Sequence, residues 1–236
     1  MSYLIVVAHP DDEVLGAGAT IYRLTRSGQE VNVCILSGKA QARAMRPGDE
    51  ELMEDTNRCM SSLGVNQVIL GDFPNIKLNI VPHLDLVQFI EKAIIKTQAT
   101  TVFTHHPADV NNDHVQTSLA CQAAIRLFQR RNDILPMEAL LYMEVPSATE
   151  WGLNTSANKF NPNTYYQVGR EAIDKKIEAL SCYRGVMRPF PHPRSEEALI
   201  GLAAFRGSQS GSDYAEAFEL AFSRKNLISD ERLNRR

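Results

Sequence analysis

Cysteine is scarce and scattered: four residues in 236, at Cys34, Cys59, Cys121 and Cys182, with no C-x-x-C pair. That spacing excludes a disulfide frame and a cysteine-built metal centre, and each thiol reads as a small buried apolar group. Neither sign of charge is in excess, with 25 Lys+Arg against 28 Asp+Glu and a net charge of −3. The chain therefore lacks the basic footprint that nucleic acid or an anionic membrane would select. Uninterrupted apolar runs of membrane-spanning length are missing, as are the basic and apolar regions of a signal peptide before the first strand. The expectation is a cytoplasmic protein with no membrane span and no nucleic-acid partner. No G-x-G-x-x-G follows the first apolar run, which weakens a dinucleotide-binding reading. Internal repeats, low-complexity tracts and interdomain linkers are also missing.

What is present is an ordinary globular composition, 44% hydrophobic and 22% charged, in a chain long enough to bury a full core. It reads as one α/β domain, residues 1–236, in which strands and helices alternate. Tyr3–Val7, Glu30–Leu36, Gln67–Leu70, Thr101–Thr104 and Ala139–Met143 read as strands. Between them lie amphipathic stretches. One runs past Ile21 and Leu24 to Gly28. A second has Asp49 as N-cap and Leu52, Thr56, Cys59 and Leu63 on one face; a third carries Leu84, Val87, Ile90 and Ile94. A fourth is opened by His114 and carries Val115, Leu119, Ala123 and Leu127. Such alternation predicts a Rossmann-like three-layer α/β/α fold around a mostly parallel, doubly wound sheet. Tyr165–Val168 and Arg170–Tyr183 add a short strand and a helix, another helix starts at Ser195, and Glu216–Leu220 returns to the body.

Two clusters of chemistry stand at carboxyl ends of strands, where open α/β sheets bind ligands. The first is Ala8-His9-Pro10-Asp11-Asp12-Glu13. His9 and Asp12, three apart on a tight turn, can aim at one point while Asp11 aims elsewhere. An imidazole with a carboxylate suits zinc, given a third ligand. The same acids also suit a helix N-terminus, whose dipole favours negative charge. The second cluster, His105 to His114, packs three histidines and two aspartates into ten residues. His114 would complete a site of two histidines and one carboxylate with a position left for water, and Asp113 would orient a neighbouring imidazole.

The first motif, with the later Asp113-His114, resembles the PIG-L/LmbE family of zinc-dependent N-deacetylases acting on amino sugars. The resemblance implies Zn2+ held by His9, Asp12 and His114, Asp11 as general base, and a small-molecule amino-sugar substrate. Members whose second motif reads H-x-D-H carry a histidine where this chain has Asn111. The oxyanion-donor or acid role then passes to another residue. His192, in the rigid segment Arg188-Pro189-Phe190-Pro191-His192-Pro193-Arg194-Ser195, and His106 are the candidates. His105, ending a strand, is expected to point into structure. Arg43 and Arg194 would hold an anionic group of the substrate, and Trp151 either stacks on a sugar face or plugs the core under its loop. Two other readings stay open: a ferrous enzyme using the same ligand set, and a non-catalytic Rossmann-like binding module. Whether the chain forms a homo-oligomer is also left open.

Overall fold

The apolar run after Met1 forms β1 (Ser2–Val7), buried along nearly all its length as a strand covered on both faces must be. The chain, a computed structural model describing residues 1–39, 48–153 and 159–227, continues through α1 (Asp12–Arg26), β2 (Glu30–Ile35), α2 (Asp49–Leu63), β3 (Gln67–Leu70) and α3 (His83–Thr97). Then come β4 (Thr101–His105), α4 (Asn112–Ala124), β5 (Ala139–Met143), β6 (Thr164–Gln167), α5 (Gly169–Ser181), α6 (Glu196–Ser210) and β7 (Ala215–Ser223). The sheet order is β3-β2-β1-β4-β5-β7-β6. Its first five strands are parallel, and β7 runs antiparallel to both of its neighbours. The chain leaves β1 toward β2 on one side and returns to β4 on the other. The crevice beyond the carboxyl ends of β1 and β4 is thus the topological switch point, the usual ligand position of such sheets.

Alternation along the strands divides the core in two. Ile5, Val7, Val33, Ile35, Phe103, Leu141 and Met143 face α1, α2, α5 and α6. Leu4, Val6, Cys34, Val102, Leu140 and Tyr142 face α3 and α4. The expected three layers are therefore observed, with a mixed rather than uniform strand direction.

Several local expectations are corrected. Gly48, not Asp49, caps α2, and its N–H donates to the Glu51 carboxylate at 2.9 Å. Helix α4 begins two residues before His114, capped by Asn111, and Leu127 falls in a following 3-10 turn. Leu84 and Leu119 face solvent, because α3 and α4 bury narrower stripes than a full apolar count suggests. Cys182 is only half-buried, while the other three thiols are buried. Among the described residues no helix is long and apolar enough to cross a membrane.

Helix α1 is not continuous. Ala17 leaves helical geometry (φ −146°, ψ 17°), and the two ends made by this break are satisfied by a buried ion pair. Lys176 Nζ donates to Leu15 O at 2.7 Å and to Glu216 Oε1 at 2.7 Å. The Glu216 carboxylate in turn accepts the N–H groups of Ala19 (3.2 Å) and Thr20 (2.7 Å). Carbonyls orphaned on one side meet an ammonium and amides on the other meet a carboxylate, as helix termini require. A Cβ on Gly18 would come within 3.0 Å of Lys176 Cγ, so the close approach needs glycine there.

Candidate active site

The turn from β1 into α1 is closed locally. His9 N–H donates to Asp12 Oδ2 at 3.0 Å, and Asp12 N–H to His9 O at 3.3 Å. This brings His9 Nδ1 to 3.2 Å from Asp12 Oδ2. Asp11, between them, is forced to φ 104°, a region non-glycine residues rarely occupy. Its N–H donates to Glu13 Oε2 at 3.1 Å, and Glu13 Oε1 accepts the Tyr183 hydroxyl at 2.6 Å. Asp11, Asp12 and Glu13 are all buried. Burial drives the Glu13 carboxyl up to about 8, against the opposing hydrogen bond from Tyr183.

The loop after β4 meets this turn. Asn111 Oδ1 accepts the Asp113 N–H at 3.0 Å, an N-cap that explains an amide at this position. His114, in the first turn of α4, then places Nε2 3.2 Å from Asp12 Oδ2 and Nδ1 3.1 Å from Asp109 Oδ2. Asp113 reaches across to His9 Nε2 at 3.0 Å and accepts the N–H groups of Ile76 (2.7 Å) and Leu78 (2.9 Å). One ligating atom from each of His9, Asp12 and His114 lies within 4.8 Å of the others. Each imidazole has a carboxylate behind it, Asp113 for His9 and Asp109 for His114. That arrangement fixes ring orientation in metal sites.

Both ring nitrogens of His114 are buried and neither makes a well-aligned hydrogen bond. Buried polar atoms are normally satisfied. An unsatisfied Nε2 facing a carboxylate, with a second imidazole alongside, fits a divalent cation of borderline softness. The charges point the same way. Burial opposes a proton on His114, but Asp12 and Asp109 outweigh it and raise its pKa to about 10. Burial likewise opposes a proton on His9, and Asp113 and Asp12 overcome it. The site is a pocket of negative charge that draws a cation or, failing that, protons.

Three features of the site had no role assigned from the sequence. His105 lies in the site, its ring stacked on His114 at 3.8 Å with 15° between planes. Its Nε2 accepts the Ala8 N–H at 2.9 Å, and burial lowers its pKa to about 3, so it is a neutral spacer. Asp109 is held by the Thr149 hydroxyl at 2.9 Å and by its own acceptance of Asn111 N–H at 2.8 Å. The Glu13–Tyr183 contact joins residues 170 positions apart, which no local pattern signals.

The remaining expected residues separate into two groups. Arg194 Nη1 is 3.3 Å from Asp11 Oδ2, and its Nε donates to Ser147 Oγ at 2.6 Å. His192 stands beside it, Nδ1 accepting the Arg194 N–H at 3.0 Å, its ring edge-on to Trp151 at 5.9 Å. Trp151 is 49% exposed and so does not plug the core. His106, by contrast, packs edge-on against Tyr142 and Phe160 with Nε2 3.4 Å from Glu219 Oε2, facing β7. Arg43 lies outside the described residues.

The Escherichia coli (strain K12) protein named uncharacterized deacetylase YaiS is 26% identical over 187 residues, covering 77% of this chain and 89% of its own. Among solved structures, the N,N'-diacetylchitobiose deacetylase of Pyrococcus horikoshii superposes with TM-score 0.72 at 19% identity, over 93% of this chain and 83% of that one. GalB, the 4-carboxy-2-hydroxymuconate hydratase of Pseudomonas putida KT2440, does so with TM-score 0.76 at 21% identity, over 96% and 99%. At such identities the two structures establish the shared fold. The family model described as PIG-L: GlcNAc-PI de-N-acetylase matches residues 4–125, just over half of the chain and both strand-end motifs, so the chain belongs to the PIG-L family.

Proposed function

We propose that the protein is a zinc-dependent hydrolase that removes the N-acetyl group from an amino sugar or amino-sugar conjugate. The observation that carries this reading is the meeting of two motifs from separate strands. His9 and Asp12 stand with His114, and Asp11 is the residue before Asp12 in the same turn. His9, Asp12 and His114 would hold zinc, which when bound polarises an amide carbonyl and brings the pKa of water toward neutrality. Asp11 acts as general base, taking the proton of the attacking water. Arg194, 3.3 Å from that carboxylate, keeps it turned toward the site and presents the guanidinium to an anionic group of the substrate. His192 accepts at Nδ1, so its neutral ring carries hydrogen on Nε2. That N–H donates to the developing oxyanion, and the proton that Asp11 took from the attacking water passes to the departing amine, since a neutral imidazole has none to give up. The half-exposed Trp151 beside it offers an aromatic face to the sugar ring.

Metal analysis of the purified protein, with acetate release measured on a panel of N-acetylated sugars, tests the proposal. Bound zinc with acetate release supports it. Bound iron and turnover only with an oxidative co-substrate would replace it with the ferrous reading. A metal-loaded protein that adds water to a carbon–carbon double bond but frees no acetate would replace it with hydration.

A further inference from the structure

We infer that Glu13 is a positioning residue for Asp11, and that Tyr183 anchors it. Resting on the deacetylase reading for its kinetic part, the inference starts from backbone geometry. Asp11 sits at φ 104°, ψ −28°, a conformation that side chains beyond glycine adopt only when their surroundings over-determine it. Its carbonyl already serves α1, accepting the N–H of Val14 (3.2 Å) and of Leu15 (2.9 Å). Its N–H is fixed by Glu13 Oε2 at 3.1 Å. The left-handed turn is thus pinned from both sides of one residue, and it directs the Asp11 carboxylate toward Arg194 while Asp12 faces the histidines.

Glu13 itself is fully buried and touches neither His9, Asp12 nor His114 through any hydrogen bond or ion pair among the described residues. Its second oxygen is occupied by Tyr183, which follows α5 and is itself buried among Val14, Cys59 and Leu180 of the core. The chain of contact runs Tyr183 hydroxyl, Glu13 carboxyl, Asp11 amide. A carboxyl kept in a dry core beside two other carboxylates is costly unless its geometry is used, and the neighbouring residue of the turn that it holds is Asp11, by its N–H. Helix-terminus complementarity, the other reason for an acid here, does not need a tyrosine 170 residues away to fix the side chain.

The test compares Glu13→Ala, Glu13→Gln and Tyr183→Phe in the zinc-loaded full-length protein, with N-acetylglucosamine and diacetylchitobiose as probes. Glu13→Ala should keep zinc affinity and KM while kcat falls about ten- to a hundredfold, the scale of a misplaced catalytic group. Tyr183→Phe should show the same split to a smaller degree. Glu13→Gln should restore most of kcat, since its amide oxygen still accepts the Asp11 N–H and its NH2 can donate to the tyrosine oxygen. Wild-type kcat in Glu13→Ala, or a Glu13→Gln as slow as Glu13→Ala, overturns the inference. If Glu13→Ala does not fold, the Gln and Phe variants decide. If the wild type frees no acetate from any sugar, the deacetylase reading fails on its own. The crystal structure of Tyr183→Phe or Glu13→Ala then decides this one: Asp11 leaving its positive φ supports it, and Asp11 unmoved overturns it.

Discussion

Replacing Lys176 by Met isolates the ion pair inside broken helix α1. The unbranched stem that lies against Gly18 is kept, and only the ammonium is lost. Two groups are then stranded: Leu15 O, and a Glu216 carboxylate 6% exposed with only the amides of Ala19 and Thr20 left. Removing one partner of a buried pair costs about 3–5 kcal/mol, because an uncompensated charge stays behind. In a domain of this size each kcal/mol lowers Tm by about 2–4 °C, so the fall should be roughly 6–20 °C. Scanning calorimetry at pH 7 with zinc held at fixed excess reads it, since bound metal would otherwise shift Tm by mass action. Adding Glu216→Gln removes the stranded charge while keeping an oxygen for Thr20, so the double variant should melt no lower than Lys176→Met. A single-variant loss below about 1 kcal/mol, the worth of a surface pair, would refute the reasoning. So would a double variant that melts well below the single.

Three further outcomes are expected. His9→Ala and His114→Ala should lose zinc and acetate release together, with affinity falling beyond the roughly 10–100-fold seen for residues that only orient ligands; full occupancy by metal analysis in both would remove the ligand assignment. Asp11→Asn should keep zinc and lose about 10²–10⁴-fold in kcat, because an amide cannot take the proton; metal loss in that variant would exchange the roles of Asp11 and Asp12. His192→Ala should keep zinc and lose a similar factor. Burial, with Arg194 and then Arg188 nearby, holds the His192 pKa below its ordinary 6.5. A role carried by the neutral Nε2–H therefore persists as pH rises above 7, whereas a role needing the protonated ring declines as pH rises through that lowered value. The kcat/KM profile distinguishes the two, and an NMR titration of His192 with a midpoint above 6.5 would contradict the environment described.

The His9–Asp12 spacing was legible because a three-residue turn leaves little freedom, and His114 because two ligand-rich loops stood at equivalent strand ends. His105 points into structure as expected, but its stacking on His114 was not legible, for a reason of geometry. Strand alternation says which face a residue takes but not what crosses the sheet end, and α4 brings the His114 ring directly over it. Asp109 was counted in the second cluster but given no role, because its partner Thr149 is 40 residues on. The antiparallel β7 was hidden by its own charges. Glu216 and Glu219 break a strand-like apolar pattern, and Glu216 is buried against Lys176 of α5 and the amides of Ala19 and Thr20. Leu84 and Leu119 were counted as core from helical period, yet that period cannot tell how wide a stripe the neighbouring layer covers.

Strand β7 also sets an order of events for a chain made from its N-terminus. β6 pairs with β7, and β7 lies between β6 and β5. The parallel half can pair while synthesis proceeds, but β5 keeps an open edge and β6 has no partner in the sheet until β7 has been made. An exposed edge beside unpaired strand is where nascent chains associate wrongly. The same nine residues deliver Glu216 to the break in α1 and Glu219 to His106. A ribosome-bound chain stalled before Ala215 would thus hold every proposed metal ligand and still lack the segment that joins β5 to β6.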